Sequence, residues 1–464
     1  MESNVLHQQK SMPPKAEGGW PIGSARLLVA DPLDFFEKFI PKYGGIFQIT
    51  SVFVKVMRQF DWIMVVSNPD MVKNIMQDNN RNYVKSHSYK VLEILLGHGL
   101  LTSEGDFWRK QRRLIQPAFH KDRMAAFVNI MATAAEEMVA NWKKLPDVAE
   151  VNVSKDMMGM TLDIVCRAMF GTDVSDAMDV VNREFDKANE MLITRIKGPV
   201  RIPIHWPTLG NYRERKTYDA IKKVVSDIID KRRKSTERYD DLLAMLMEVQ
   251  DEETGERMSD NQIQDEVITI FLAGHETTAV ALSWLMLCLD QNPEVEAKLK
   301  EEAERVLRGA SPRMEHLREL EYTRMVIDET LRLYPPAWVI GRQSIENDEM
   351  GGYHVPKRTN CIIPVYYIHR DPLHWENPEQ FIPERFNKQN SVGRHKFVYF
   401  PFGGGPRLCI GNSFAIMEMQ IIVATIVQQV QVRKSKELTI KKEPLITMRP
   451  SPHLRMNLVS KNQS

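Results

Sequence analysis

The sequence of 464 residues predicts a mainly helical fold with a small β lobe. Apolar residues recur at helical spacing over long stretches. The longest stretch, residues 259–290, opens with Ser259 and Gln262 in the spacing of a capping box. Segments rich in β-branched and aromatic residues are few. They are residues 43–66, residues 353–365 and, as a predicted terminal hairpin, residues 441–459.

The other predicted helices follow from local start and stop signals. Asp31-Pro32 opens a short helix to Phe39, and Asn68-Pro69 caps the next one. Further helical patterns cover residues 105–140, much of 150–250, 320–333 and, after Asn412 as a candidate N-cap, 414–427. Neither a repeat nor a strong linker divides the chain. We therefore expect an irregular lead-in over residues 1–23 and a single domain over residues 24–464.

Composition excludes several classes of protein. The 62 basic and 61 acidic residues give a net charge of +1, so the chain has no large net positive charge that would attract nucleic acid. The four cysteines are far apart and form no CxxC pair, which argues against a zinc site or a disulfide framework and favours a reducing compartment. The N-terminal residues lack the apolar core of a signal peptide, and no apolar run reaches the roughly 18 residues of a membrane span. We expect a soluble, cytoplasmic protein, with an anchor removed from a longer chain as the alternative.

One cysteine lies in a loop that is unusually rich in glycine. The pattern reads Phe402-Gly403-Gly404-Gly405-Pro406-Arg407-Leu408-Cys409-Ile410-Gly411. A helix follows at once, and a helix N-terminus favours the thiolate form of a nearby cysteine. A phosphate-binding loop would need Lys-Ser/Thr where this chain has Cys409-Ile410. A small buried cysteine is the plainer alternative.

The spacing Phe402-x-x-Gly405-x-Arg407-x-Cys409-x-Gly411 resembles the haem-ligand loop of the cytochrome P450 family. Thiolate ligation of haem iron is the property that defines this family. The resemblance implies the cytochrome P450 fold, with haem b between the long central helix and the cysteine loop. It makes Cys409 the axial ligand of the iron. Phe402, Gly403, Arg407 and Gly411 would contribute to the haem site.

A polar motif interrupts the long apolar helix. Residues 273–278 read Ala-Gly-His-Glu-Thr-Thr, although glycine costs roughly 1 kcal/mol relative to alanine inside a helix. The plain interpretation is an exposed polar turn, but the flanking residues are apolar. The motif resembles the oxygen-binding groove of the family. By that resemblance Ala273 and Gly274 would lie against the haem, Thr277 would hold oxygen, and Glu276 would relay protons.

Further motifs resemble parts of the family that bind or support the haem. Trp108 and Arg112 are four residues apart on one helix face and resemble the pair that holds a haem propionate, as does Arg342. Glu329 and Arg332, together with Arg385 of a Pro-Glu-Arg-Phe segment, resemble the buried network that braces the cysteine loop. A solvated charged helix is the alternative for Trp108 and Arg112, and a surface ion pair worth little is the alternative for Glu329 and Arg332.

The resemblance implies a monooxygenase that acts on an apolar small molecule, such as a fatty acid or a terpenoid, and consumes O₂. Candidate pocket residues are Ile270, Ala273, Ala337, Val339 and Ile446. The haem segment is not followed by a flavin or iron–sulfur segment, so we expect a separate ferredoxin or flavodoxin-like donor. Arg109, Lys110, Arg113, Lys121 and Arg123 form a candidate docking face for it, and residues 197–210 a candidate lid over the substrate entrance.

Three alternatives stay open on the same fold: a peroxide-driven oxygenase, an isomerase or dehydratase that needs no electrons, and a haem sensor without turnover. Relatives of these kinds typically lose the acid–threonine pair. Glu276 and Thr277 are both present here, which favours the monooxygenase.

Overall fold

The computed structural model describes residues 11–18, 23–50, 61–119, 124–171, 204–237, 239, 241–251, 254–435 and 438–459, with residues 184, 187–188, 190–192 and 194–195. The chain forms two compact units. The first contains Met1–Ser88, Ala337–Glu379 and Gly393–Cys409, and the second contains Tyr89–Pro336, Gln380–Val392 and Ile410–Ser464. The expected single domain over residues 24–464 stays a prediction.

The described residues form mostly helices, which we number in chain order. They are α1 (Ala25–Ala30), α2 (Pro32–Tyr43), α3 (Pro69–Lys73), α4 (Tyr89–Leu96), α5 (Gly105–Ile115), α6 (Val128–Lys143), α7 (Val153–Phe170), α8 (Leu209–Lys234), α9 (Leu242–Glu248), α10 (Asp260–Gln291), α11 (Pro293–Leu307), α12 (Glu321–Leu333), α13 (Val365–Ile368) and α14 (Asn412–Gln429). The strands are β1 (Ile46–Gln48), β2 (Trp62–Val66), β3 (Tyr83–Lys85), β4 (Glu150–Asn152), β5 (Ile340–Ser344), β6 (Asp348–Met350), β7 (Tyr353–Val355), β8 (Thr359–Ile363), β9 (Gln431–Lys434), β10 (Lys441–Pro444), β11 (Met448–Ser451) and β12 (Arg455–Val459).

The first unit is built on a five-stranded sheet in the order β1-β2-β8-β5-β3. Strands β2 and β8 are parallel, and the other neighbours are antiparallel. One face supports a core that includes Met64, Cys361 and Ile363, together with Phe397 and Phe400 of the segment that leads to the cysteine loop. This core therefore holds the residues immediately before Cys409 against a rigid sheet.

The second unit is organised around α10, which contacts α7, α8, α12 and α14. The predicted capping box is present: the Ser259 side chain accepts the Gln262 N–H, and the Gln262 side chain accepts the Ser259 N–H. Among the described helices only α10 is long and apolar enough to cross a membrane, and most of its apolar stretch is buried. It is thus a core helix, as its apolar residues on both sides of the polar motif predicted.

Three sequence predictions were wrong in detail. The pattern over residues 105–140 is not one helix: α5 ends at Ile115, and a 3₁₀ turn containing Pro117, which has no N–H to donate, follows. Asn412 is not the N-cap of α14. Gly411 occupies that position, and the Asn412 Oδ1 accepts the adjacent Ser413 N–H at 2.6 Å.

The predicted terminal hairpin is correct only in its first half. Strands β10 and β11 pair with each other. Strand β12 instead lies between β4 and β9 in a separate three-stranded sheet. The last strand therefore finds partners that are remote in sequence.

Glu418 of α14 is a carboxyl group buried in the core of the second unit. It is fully buried, and neither of its oxygens has a hydrogen-bond partner among the described residues. Burial raises the pKa of Glu418 to about 8, and the Thr278 hydroxyl of α10 lowers it by a smaller amount. At neutral pH the folded protein therefore keeps this carboxyl group protonated, as a neutral group in an apolar interface.

We predict that this proton makes stability depend on pH. Between the ordinary pKa of 4.5 and the raised value of about 8, the unfolded chain is ionised while the folded chain keeps its proton. The contribution of Glu418 to the free energy of unfolding is therefore fully present below pH 4.5 and falls as pH rises to about 8, by at most about 1.4 kcal/mol per pH unit. Glu418→Gln removes this loss, so its melting temperature should rise relative to the parent's from pH 5 to pH 8. Glu301→Gln, at an exposed position of α11, is the control. An equal difference in melting temperature between Glu418→Gln and the parent at pH 5 and at pH 8 would contradict the prediction.

Candidate functional site

The cysteine loop has the backbone that its glycines predict. Gly403 and Gly405 have φ values of 74° and 63°, in the left-handed region that other residues rarely adopt. The Cys409 N–H donates to the Phe402 carbonyl oxygen at 3.0 Å, which closes the loop. All four cysteines are described; Cys409 is exposed, and Cys166, Cys288 and Cys361 are buried. The plain interpretation of Cys409 as a small buried residue is therefore wrong.

The close approach that the glycines permit is made to other parts of the first unit. A Cβ atom on Gly404 would lie 2.5 Å from the Phe397 ring, and one on Gly405 would lie 1.9 Å from the Met76 carbonyl oxygen. Both positions therefore exclude any side chain. Arg342, in β5 of the same unit, is buried and donates to the Gly341 carbonyl oxygen at 2.9 Å.

The polar motif of α10 lies on a helix face that keeps small residues accessible. Ala273 is exposed, and Gly274 and Thr277 are partly buried, although both helix flanks are deeply buried. The Thr277 hydroxyl donates to the Ala273 carbonyl oxygen at 2.8 Å, the contact four residues back that threonine makes within a helix. His275, which we interpreted as structural, is buried with its Nδ1 2.7 Å from the Phe271 carbonyl oxygen.

Glu276 has two partners that the sequence analysis missed. Its Oε1 accepts from the Thr447 hydroxyl at 2.5 Å and from Nη2 of Arg449 at 2.6 Å. Both residues belong to the β10–β11 hairpin, some 170 positions away in sequence. An arginine in a hairpin with apolar neighbours was the available signal, but nothing local indicated its partner.

Trp108 and Arg112 lie four residues apart on α5, as predicted. Trp108 is buried and Arg112 is partly buried. The basic residues beside them are neutralised within the second unit: Arg109 pairs with Asp106, Lys110 with Glu256, and Arg113 with Asp251. Lys121 and Arg123 lie outside the described residues, as do residues 197–203, the first half of the candidate lid.

The Arg113 ion pair has a measurable electrostatic consequence. Hydrogen bonds from the Arg113 guanidinium and from the Thr254 N–H lower the pKa of Asp251 to about 2. Asp251 therefore stays ionised under ordinary conditions and compensates the charge of Arg113. The candidate docking face consequently carries less net positive charge than its sequence suggests.

A second feature of α10 was not predicted. The side chains of Asp265 and Glu266 accept the backbone N–H groups of His98 and Leu100, at 2.8 and 3.0 Å. A Cβ atom on Gly99 would lie 2.1 Å from the Thr269 hydroxyl oxygen, so this residue must be glycine. The loop between α4 and α5 is thus fastened to α10, three turns before Thr277.

Glu329, Arg332 and Arg385 form the predicted network. The Glu329 carboxylate accepts from Arg332 at 2.7 and 2.8 Å and lies 3.3 Å from Nε of Arg385. The side chains of Glu329 and Arg332 are 0% exposed. Glu329 also accepts the Ile382 N–H, and Arg332 donates to the Gln380 carbonyl oxygen. The alternative of a surface ion pair is therefore excluded.

The candidate pocket residues share an unusual property: they are apolar but not buried. Ala273 and Ala337 are exposed, while Ile270, Val339 and Ile446 are partly buried. Ile270, Ala273 and Ile446 belong to the second unit, and Ala337 and Val339 to the first. Each therefore retains apolar surface that a ligand could cover.

Comparisons with known proteins agree with these features. The family model "Cytochrome P450" matches residues 13–456. The chain is 32% identical over 445 residues to "Cyclooctatin synthase" of Streptomyces melanosporofaciens, covering 95% of this chain and 94% of that protein. It is 31% identical over 438 residues to "Cyclooctat-9-en-7-ol 5-monooxygenase" of the same organism, covering 92% and 93%. Among solved structures, "Crystal structure of cytochrome P450DA heme domain" superposes with a TM-score of 0.87 at 25% identity, covering 98% of this chain and 99% of that one.

The fold and the cysteine loop define a haem-thiolate protein. The chain belongs to the cytochrome P450 family, and it is an oxidoreductase of the monooxygenase class. The predicted cytochrome P450 fold is confirmed.

The residues that the structure presents fit a haem. Cys409 is an exposed residue in a loop where Gly404 and Gly405 have no room for side chains. The α10 face around Ala273 and Gly274 carries small residues that leave room for a flat ring. Arg112 in the second unit and Arg342 in the first are each of a residue type that would bind a haem carboxylate.

We predict that the Glu329 network is essential to stability. Glu329→Ala leaves two nearly buried arginines without their carboxylate, and breaking a buried pair typically costs roughly 3–5 kcal/mol. The melting temperature should fall steeply, and purified protein should retain little haem. Glu321→Ala is the matched control, because Glu321 is an exposed residue of the same helix. Normal haem content in Glu329→Ala would show that the network is dispensable.

Proposed function

We propose that this cytochrome P450 inserts one oxygen atom from O₂ into an apolar small molecule, with Cys409 as the axial ligand of a haem b iron. The exposed position of Cys409 at the end of a glycine loop is the observation that carries the proposal. The bound haem would supply the redox chemistry and the site at which oxygen is activated. The protein's own part is to fix the thiolate, bind substrate and deliver protons.

Binding of the haem carboxylates is assigned to four residues. Trp108 can donate through its indole N–H, and Arg112, Arg342 and Arg407 through their guanidinium groups. The remaining contacts would come from Phe402, Gly403 and Gly411 in the loop and from Ala273 and Gly274 on α10. A pyridine haemochrome spectrum of the purified protein would distinguish haem b from other haems.

Proton delivery is assigned to the acid and the alcohol of α10. The Thr277 hydroxyl hydrogen is directed to the Ala273 carbonyl oxygen, so its oxygen can accept a hydrogen bond from a bound molecule. Glu276 is adjacent in sequence and can take up protons and pass them on. Burial of both flanks of α10 keeps bulk water away from this step.

The substrate and the electron donor follow from weaker observations. The accessible apolar side chains of Ile270, Ala273, Ala337, Val339 and Ile446 favour a substrate with a large apolar surface. The relative named for cyclooctat-9-en-7-ol supports a terpenoid, and a fatty acid fits the same chemistry. Spectral titration with both classes would decide. Reconstitution with a ferredoxin and with a flavodoxin, each with its reductase, would identify the class of donor.

A cytoplasmic location is also part of the proposal. All four cysteines are present as thiols, and burial raises the pKa of Cys361 to about 12, so this thiol is inert. Thiols persist in a reducing compartment. Fractionation of the native host would test this assignment.

We predict that Cys409→Ser abolishes the red-shifted carbon-monoxide band that thiolate-ligated ferrous haem gives. The reason is that a serine hydroxyl is a much weaker electron donor than a thiolate. The absorption spectrum of the reduced protein under carbon monoxide measures this. Cys288→Ser, at a buried cysteine of α10, should keep the band. A band retained in Cys409→Ser would refute the ligand assignment.

We predict that Thr277→Ala separates electron use from product formation. The variant should bind haem and substrate as the parent does, because the hydroxyl contacts only its own helix among the hydrogen bonds described. A positioned proton-transfer group is typically worth about 10²–10⁴-fold, so product per electron should fall sharply and hydrogen peroxide should accumulate. Thr278→Ala, whose hydroxyl bonds the Gly274 carbonyl oxygen, is the neighbouring control. Equal coupling in Thr277→Ala and parent would refute the proton role.

A further inference from the structure

The Glu276 carboxylate is held by a polar clamp that the β10–β11 hairpin provides. Three donor atoms converge on Oε1: the Thr447 hydroxyl at 2.5 Å, and Nη2 and Nε of Arg449 at 2.6 and 3.2 Å. The Glu276 side chain is 5% exposed and that of Arg449 is 23% exposed. This is a nearly buried ion pair with a second donor, in which a carboxylate is usually well ordered.

The hairpin that carries the clamp is itself fixed to the core. Thr447 and Arg449 flank Met448, so their side chains lie on the same side of the strand. The Met448 carbonyl oxygen accepts the Trp284 indole N–H at 2.8 Å, and the Met448 N–H donates to the Pro336 carbonyl oxygen at 3.1 Å. Trp284, two turns along α10 from Glu276, also stacks on Tyr334 with ring centroids 4.2 Å apart. Strand β11 is thus hydrogen-bonded to Trp284 and Pro336 at Met448, the residue between Thr447 and Arg449.

We propose that Thr447 and Arg449 are positioning residues for proton delivery, acting by fixing the Glu276 carboxylate. This inference rests on the proposed function, in which Glu276 supplies protons. A flexible glutamate would sample several rotamers, and proton transfer demands a defined geometry. The contacts from Thr447 and Arg449 to Oε1 restrict this rotation and hold the carboxylate at a constant position.

A purely structural role is the competing explanation. In that case the clamp only offsets the burial of a charge, and its loss would lower stability without affecting proton transfer in particular. The two explanations predict different oxidation rates for the clamp variants with two different oxidants. Oxidation driven by hydrogen peroxide requires protons to be moved between its two oxygens. A peracid already carries a good leaving group and needs far less help from the protein.

The experiment compares Arg449→Met, Arg449→Lys and Thr447→Val with the parent. Guaiacol is oxidised with hydrogen peroxide and, separately, with 3-chloroperbenzoic acid, after haem binding is verified by the carbon-monoxide band. In Arg449→Met we expect the hydrogen-peroxide rate to fall roughly tenfold to a hundredfold and the peracid rate to stay within about twofold. Arg449→Lys should recover much of the loss because it restores the charge. Arg455→Met is the control, because it removes an exposed arginine of β12 that pairs with Glu150.

A second readout does not depend on activity. In a double-mutant cycle of Glu276→Gln and Arg449→Met, the changes in the free energy of unfolding should be clearly non-additive, because the two residues are in direct contact. Additive effects would overturn the proposal, as would an equal loss with both oxidants. If Arg449→Met does not fold, Thr447→Val, which removes the hydroxyl donor to Glu276, provides the same comparison. A parent protein without the carbon-monoxide band would overturn the proposed function itself, an outcome distinct from failure of the clamp.

Discussion

The second unit depends on one carboxylate that is removed from water. Glu329 accepts from two arginines and from a backbone N–H, so its charge and its lone pairs are satisfied inside the protein. Arginine suits this role better than lysine, because its planar group donates two parallel hydrogen bonds. The network fastens residues 380–386 to α12. These residues are followed, along the chain, by the segment that ends at Cys409.

Helix α10 shows how polar groups can be tolerated in an apolar helix. Thr277 and Thr278 donate to carbonyl oxygens of their own helix. His275 lies against the Phe271 carbonyl oxygen, and Glu276 accepts hydrogen bonds from the β10–β11 hairpin. Most of these contacts are local and carry little energy individually. Glu276 is different, because its ion pair joins two distant parts of the chain. Glu276 thus departs from the rule that buried helix positions are apolar, and such departures are common at functional sites.

How well the sequence predicted each contact depended on how far apart in sequence the two contacting residues lie. The capping box of Ser259, the cap at Asn68 and the pairing of Glu329 with Arg332 lie within a few residues, and all were predicted correctly. The cysteine loop was also predictable, because its glycines and Cys409 lie within ten consecutive residues. By contrast, the partners of β12 and the contact between Arg449 and Glu276 join residues far apart in sequence. Only packing decides such contacts, and a single sequence does not record packing.

The turn between β10 and β11 places Ile446 directly before Thr447. Under the assignments above, one of these residues contacts the substrate and the next fixes the acid. Laboratory evolution that enlarges or reshapes the pocket at Ile446 will therefore also disturb the clamp. Variants selected for a new substrate at this position should waste reducing equivalents even when they bind well. Diversifying Ile270, which lies on α10 rather than in this turn, offers a way to alter specificity without that penalty.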